Sequence, residues 1–300
     1  MIYKKRVEPY QLVLLKTLHR RMILSKTDQK LYDNLKKGYE GELRFDEFTE
    51  NLKLDCLILN DLLLKVNNQT FQIDSLIIMN HVIHIYEIKN YAGNYYYENN
   101  RLFQKDGTEI SNPFIQLERT QSLLRQFLLH LKVSIPVHAS IVFINPDFIL
   151  YQAPLDKPFI FQPQLNQLRI QLNSTHQNLT QQYKSLAEKL INFHIKENPY
   201  QQIPQYDYIQ LRKGIPCAAC YSFSTIIKGY KCICKEYRYA EQVELAIERN
   251  AKEFQFLFPK EPLTTKKMVD WCQIGSKFTV RRVLQNSFTK LGKKRWVHYI

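Results

Sequence analysis

The sequence predicts an α/β fold, and three features carry the prediction. Residues 56–91 read as three successive strands, CLILNDLLLKV, TFQIDSLIIM and VIHIYEIKNY, separated by short polar turns. Helical patterns bracket them, with Leu43, Phe45, Phe48 and Leu52 on one stripe before and Leu117, Leu124, Leu128 and Leu131 at helical spacing after. A continuous apolar run at 137–145 then suits a strand covered on both faces. Helix, antiparallel meander, helix and strand in this order assemble one layered domain.

Taken in order, residues 7–37 predict a helix, with Leu12, Leu15, Leu18, Met22, Leu31 and Leu35 at helical spacing among Lys and Arg, and Gly38 and Gly41 punctuating it. A second helix starts at Glu42, its acidic first turn matched to the positive end of the helix dipole. Strands at 56–66, 70–79 and 82–91 follow, then a polar loop holding Gly93 and Gly107. Pro113 occupies the favoured first turn of a helix reaching Leu131. Residues 146–177 are rich in Pro and Gln and predict loop. Residues 178–195 predict an amphipathic helix through Leu179, Tyr183, Leu186, Leu190 and Phe193, and YQQIPQYDYIQ reads as a linker. The expected organisation is a basic helical segment at 1–37, the α/β domain at 38–150, loop, helix and linker at 151–205, a cysteine-bearing module at 206–240 and a basic helical module at 241–300.

Composition excludes several classes. With 45% hydrophobic residues and only 8 Gly, the 300-residue chain is neither disordered nor collagen-like. It contains no run of about 18 uncharged apolar residues, and charges interrupt its first 21 residues where a signal peptide needs an apolar core, so a cytoplasmic protein without membrane spans is expected. The net charge of +14 is terminal: residues 1–37 carry ten basic and three acidic side chains, 38–205 carry 14 and 17, and 206–300 carry 18 and eight. Basic ends around a mildly acidic middle suit a protein whose ends grip a polyanion while the middle binds a cation.

The middle holds the chemistry. If Asn80 and His81 form a two-residue hairpin turn, Asp74 faces Glu87 across the two strands, and Lys89 shares the face of Glu87. Opposed carboxylates repel unless neutralised, and a divalent cation neutralises them. Mg²⁺ or Mn²⁺ uses one or two carboxylates plus waters, with Lys89 placed to orient an attacking water. An ordinary solvent-facing hairpin is the alternative reading of the same spacing.

The wider pattern resembles a known family. GYEGE (38–42), QIDSLII (72–78), YEIKNYAG (86–93) and NPFIQ (112–116), in this order, are similar to the nuclease-related domain, NERD, a branch of the PD-(D/E)XK nucleases. The resemblance implies a restriction-endonuclease-like mixed sheet flanked by helices. It implies metal coordination by Asp74, Glu87 and the backbone carbonyl of Ile88, a catalytic Lys89, a further acid in Glu42, and a polar Gln116 aimed into the site. The implied activity is Mg²⁺-dependent hydrolysis of DNA. A non-catalytic DNA-binding or DNA-processing role stands beside it, because folds are reused.

Four of the six cysteines, Cys217, Cys220, Cys232 and Cys234, fall in a CxxC-x11-CxC pattern that predicts a structural Zn²⁺ in a zinc-ribbon-like module. The usual second half is CxxC, so whether Cys234 completes the site is open. After a helix expected at 236–256, a short helix capped by Thr264 or Thr265, a turn at Gly275 and Ser276, a helix at 277–288 and a closing strand resemble a winged helix-turn-helix. Lys277, Arg281, Arg282, Lys293, Lys294 and Arg295 are its candidate phosphate contacts. Trp271 and Trp296 read as core, Tyr95, Tyr96 and Tyr97 as packing and edge-strand surface, and His81 and His84 as non-ligands.

Overall fold

The computed structural model describes residues 1–79, 81–174, 179–196, 201, 203–293 and 296–300. The chain divides into two compact units, one of Met1–Pro9 and Asp33–Gln202, the other of Tyr10–Tyr32 and Ile203–Ile300.

Strand β1 (Ile2–Lys4) and helices α1 (Tyr10–Arg21) and α2 (Lys26–Glu50) open the chain. The single helix expected over 7–37 is therefore two. Ser25 restarts the chain as a cap, accepting the Asp28 N–H at 3.1 Å while its hydroxyl donates to the Asp28 carboxylate at 2.6 Å. Gly38 and Gly41 do not break α2, which runs through both. A β-carbon at Gly41 would stand 2.5 Å from that of Asn90, so this glycine serves close approach between helix and sheet.

The meander is β2 (Leu57–Val66), β3 (Gln69–Met79) and β4 (Val82–Lys89). The segment expected as loop after it forms β5 (Gly93–Glu98), β6 (Arg101–Gln104) and β7 (Glu109–Ile110). Its alternating Tyr95 and Tyr97 are buried while Asn94, Tyr96 and Glu98 on the other face are partly or fully exposed, a strand signal that the high Asn and Gly content hid. Helix α3 (Pro113–His130) starts at Asn112, whose side chain accepts the Phe114 N–H. Then come β8 (Val137–Phe143), β9 (Phe148–Tyr151), β10 (Phe159–Phe161), α4 (Leu165–Asn173) and α5 (Gln181–Asn192). The stretch read as loop over 146–177 thus contains two strands and a helix. Gln-rich composition masked the Leu165, Leu168 and Leu172 stripe that packs α4 on the sheet. The expected start of α5 at residue 178 lies outside the described residues.

The main sheet runs β1-β2-β3-β4-β8-β10, antiparallel in the meander and parallel at β1–β2, β4–β8 and β8–β10. Buried side chains of α3 and α5 cover one face with Leu57, Leu59, Ile83 and Ile85; α2 and α4 cover the other through Phe45 and Leu172 with Ile58, Ile77 and Tyr86. This is a mixed sheet flanked by helices, the restriction-endonuclease-like architecture. A second sheet, β7-β6-β5-β9, extends the unit.

In the second unit, β11 (Thr225–Lys228), β12 (Lys231–Cys234) and β13 (Ala240–Gln242) form an antiparallel sheet. Helices α6 (Val243–Leu257), α7 (Thr265–Cys272) and α8 (Lys277–Ser287) pack on one another, and β14 (Lys290–Leu291) pairs with β15 (His298–Tyr299). Leu263 bridges to Tyr299. The helix expected from residue 236 begins at Val243, because Ala240–Gln242 pair with β12 first. Thr264 and Ser276 cap α7 and α8. Trp271 is fully buried as expected; Trp296 is 73% exposed, correcting its reading as core, since it sits in the β14–β15 connection rather than under a helix.

Candidate active site and thiol cluster

The site begins with an irregularity in the meander. Phe71 and Ile73 share a core face with Leu76 and Ile78, so side-chain alternation slips by one residue between 73 and 76. A matching slip separates Leu59 from Leu62 in β2. The β2–β3 ladder passes from Asn60 opposite Ser75 to Leu62 opposite Ile73 and leaves out Asp61 and Asp74 between them; Asp61 has φ of +56°. Irregularities of this kind re-aim side chains beside functional sites.

The β3–β4 register matches the predicted hairpin. Met79 faces Val82 and Ser75 faces Tyr86, which brings Asp74 level with Glu87. Asn80 lies outside the described residues, and His81 holds the left-handed turn position at φ +66°. The ladder ends where Asp74 begins because its Oδ2 accepts the Ile88 N–H at 2.8 Å. Lys89 donates to Glu87 Oε1 at 2.7 Å and stands 3.4 Å from Gln116 Oε1 on α3.

From the opposite element, Gly41 admits α2 against Asn90, which Lys37 O and Asn145 hold by hydrogen bonds, and the next residue, Glu42, reaches the site. Glu42 meets a residue the sequence reading assigned no role there. Arg6, its side chain 2% exposed, donates from Nη1 to Glu42 Oε2 at 2.7 Å, from Nε and Nη2 to the two Asp46 oxygens at 2.9 and 3.1 Å, and from Nη2 to the Asp74 carbonyl at 2.8 Å. β1 carries Arg6 in from the sheet edge, while in the sequence an apolar triplet ahead of three basic residues reads as a charged tail.

These carboxylates are strained electrostatically. Burial, then the Asp74 charge, pushes Glu87 up to about 8 against the pull of Lys89. Burial likewise raises Asp74, opposed by Lys89 and the Ile88 N–H, and raises Asp46 against Arg6. Burial and Asp74 raise Glu42 to about 7. Burial lowers the Lys89 ammonium's affinity for its proton, but Glu87, Tyr91 and Asp74 together more than offset this. Each carboxylate would shed that cost against a cation. Two buried oxygen donors level with one another fit a hard divalent ion that keeps its own waters.

The thiols form a second constellation. Among the described residues, Cys217, Cys220 and Cys234 bring their sulfurs within 4.8 Å of one another, with Cys220 and Cys234 at 3.7 Å. The Ala219 N–H donates to Cys217 at 3.4 Å and the Tyr237 N–H to Cys234 at 3.3 Å. The Tyr237 N–H also holds the Cys234 thiol below its usual pKa, as a metal-binding thiolate requires. Three such sulfurs fit a borderline-soft ion. Cys232 stands outside the trio, buried two residues back along β12 beside Glu241, its strand neighbour.

Of the candidate phosphate contacts, Lys277, Arg281 and Lys293 are exposed. Arg282 is ion-paired with Glu244, and Lys294 and Arg295 lie outside the described residues.

Residues 37–144 match the model of the nuclease-related domain family. No curated protein matches. The chain also aligns with the crystal structure of protein VC1899 from Vibrio cholerae at 13% identity and a TM-score of 0.28, over 51% of this chain and 36% of that one.

Proposed function

Since residues 37–144 are a nuclease-related domain, we propose that the protein is a Mg²⁺- or Mn²⁺-dependent nuclease that hydrolyses DNA phosphodiester bonds, directed to its substrate by the basic second unit. One observation carries this reading: Asp74, Glu87 and Lys89 converge on one hairpin edge inside the matched segment, with Gln116 alongside. Asp74, Glu87 and the Ile88 carbonyl would hold the metal. When bound, such an ion polarises a phosphoryl oxygen and lowers the pKa of water. Asp74 is fixed by the Ile88 N–H, so its remaining oxygen is presented without rotamer freedom. Lys89, steered by Glu87 and Gln116, donates toward charge that develops on the scissile phosphate.

The second unit supplies grip. Lys277 and Arg281 on α8 and Lys293 between β14 and β15 suit phosphate contacts in a winged helix-turn-helix, with α8 as the groove-facing helix. The trio of Cys217, Cys220 and Cys234 suits Zn²⁺, which folds such a module rather than acting chemically, in a compartment such as the cytoplasm that keeps thiols reduced.

The test is cleavage of labelled linear, branched and single-stranded DNA with Mg²⁺ or Mn²⁺, wild type beside Asp74→Ala and Lys89→Ala. Metal-dependent cutting that drops about 10²-fold or more in both variants, with DNA binding retained, supports the nuclease. Binding without cutting across the panel would overturn it in favour of an accessory role.

A further inference from the structure

Arg6 is an unusual neighbour for a cation site. It uses three nitrogens on three residues of the constellation, Glu42, Asp46 and the backbone of Asp74, with its side chain 2% exposed. The segment that delivers it is pinned twice: β1 pairs in parallel with β2, and Lys4 Nζ donates to the carbonyls of Asn60 and Asp61 at 2.7 Å each. A bidentate guanidinium–carboxylate pair buried in this way is not displaced by a surface ion, because removing one partner leaves an uncompensated buried charge.

The charges near the hairpin edge also balance in a particular way. Five carboxylates, Glu42, Asp46, Asp61, Asp74 and Glu87, accompany three cations, Lys4, Arg6 and Lys89, each within the same network of attractions. The formal excess is −2, the charge of one divalent ion. Glu42 and Asp46 share the single charge of Arg6, Asp61 lies beside Lys4, and Asp74 and Glu87 share that of Lys89. The excess is therefore divided between the Arg6 cluster and the hairpin pair, and only the hairpin pair lacks a buried guanidinium bonded to both its carboxylates.

We propose that Arg6 is a positioning residue that takes the place of a second metal ion: it holds Glu42 and Asp46 as its own partners, so the site accepts a single divalent cation at Asp74 and Glu87. The inference rests on the metal-site reading above and deepens it. It assigns Glu42 to Arg6 rather than to the metal, and residues 1–9 become part of the site rather than an arm for polyanions.

The experiment counts Mn²⁺ bound per chain by the loss of the free-ion electron paramagnetic resonance signal, using the full chain with its thiol site loaded with zinc. Wild type is expected to bind one Mn²⁺ that Asp74→Asn abolishes. Arg6→Gln is expected to bind two, with the broadened signal of coupled Mn²⁺ ions, and Arg6→Lys to return the count to one. Two Mn²⁺ in wild type, or one in Arg6→Gln at unchanged affinity, overturns the role of Arg6 while leaving the metal site standing. No binding in wild type, or binding that survives Asp74→Asn, removes the metal site itself and the inference with it. A wild-type count of two or none overturns the proposal even if Arg6→Gln does not fold. In that case Arg6→Lys is read beside Glu42→Gln, which is expected to keep the single Mn²⁺ because Glu42 belongs to Arg6; loss of that Mn²⁺ in Glu42→Gln overturns the assignment.

Discussion

The cations at the candidate site and those offered for phosphate contacts, one set in each unit, are placed in opposite ways. In the unit built on the mixed sheet, Lys4, Arg6 and Lys89 point inward and each meets carboxylates or carbonyls at bonding distance. In the second unit Lys277, Arg281 and Lys293 face solvent. The same residue types thus organise a site in one place and offer a surface in the other, and net charge by segment does not separate the two. The second unit also contains one inward cation as a contrast within itself. Arg21 is 2% exposed, pairs with Glu253 at 2.5 Å, donates to Asn250 Oδ1 at 2.8 Å, and lies 4.0 Å over the Trp271 ring.

The largest effect should come from the element that is neither kind of charge. If three thiolates hold zinc, metal binding is folding free energy for the β11–β13 sheet. Cys234→Ser should lose the ion and unfold this sheet, whereas Cys232→Ser should keep close to one zinc per chain, as read by metal analysis of reduced protein and by thermal unfolding. Equal zinc loss in both variants would bring Cys232 back as a fourth ligand.

Arg21 sharpens the contrast between inward and outward cations. Arg21→Met removes a buried ion pair and leaves Glu253 and Asn250 without their donor, so a loss of about 3–5 kcal/mol is expected in urea unfolding. Replacing the exposed Lys277 by Met should change stability by less than about 0.5 kcal/mol. A small effect at Arg21 would mean that its neighbours rehydrate freely.

The buried carboxylates give a pH dependence with a definite sign. Glu87 titrates near 4.5 in an unfolded chain and at about 8 in the fold, so between these values the native state binds more protons. Stability of the cation-free protein should therefore be greatest below pH 4.5 as far as this group is concerned and decline as pH rises toward 8. Glu87→Gln should flatten that slope, and saturating Mg²⁺ should oppose it. A slope identical in wild type and Glu87→Gln would assign the titration elsewhere.

Much of this was legible in the sequence, and the failures share a cause. The Asp74–Glu87 register followed from strand lengths and a two-residue turn, because period-two alternation is local. The caps at Asn112, Thr264 and Ser276 were similarly local: Thr264 was one of the two caps expected for its helix, while at Asn112 and Ser276 only the helices they start were predicted. Arg6 was not legible, since its partners lie 36 to 68 residues away and no local pattern marks them. The slip at Asp61 and Asp74 was equally hidden: each strand alone reads as an apolar run, and only the pair of matching slips keeps both ends facing the core. Spacing put all four cysteines at the zinc site and left only Cys234 open, whereas the sulfurs that lie together are those of Cys217, Cys220 and Cys234; in a strand Cys232 and Cys234 point to one face, and the distance from Cys217 and Cys220 distinguishes them.

The smallest expected effect tests the outward cations. A phosphate contact releases counterions, so each one lost reduces the slope of log affinity against log salt by about 0.9 on duplex DNA. Lys277→Ala and Arg281→Ala should each do so, weakening binding similarly across sequences. Arg282 is their neighbour on α8, but its guanidinium is paired with Glu244, on α6. Releasing it to a phosphate would leave Glu244 to be rehydrated, and the exchange of one ion pair for another at the surface gains little. Arg282→Ala should therefore shift the salt slope by less than either of the other two. A full shift at Arg282 would mean that the Glu244 pair opens on DNA, and that α8 presents all three cations once the polyanion is near.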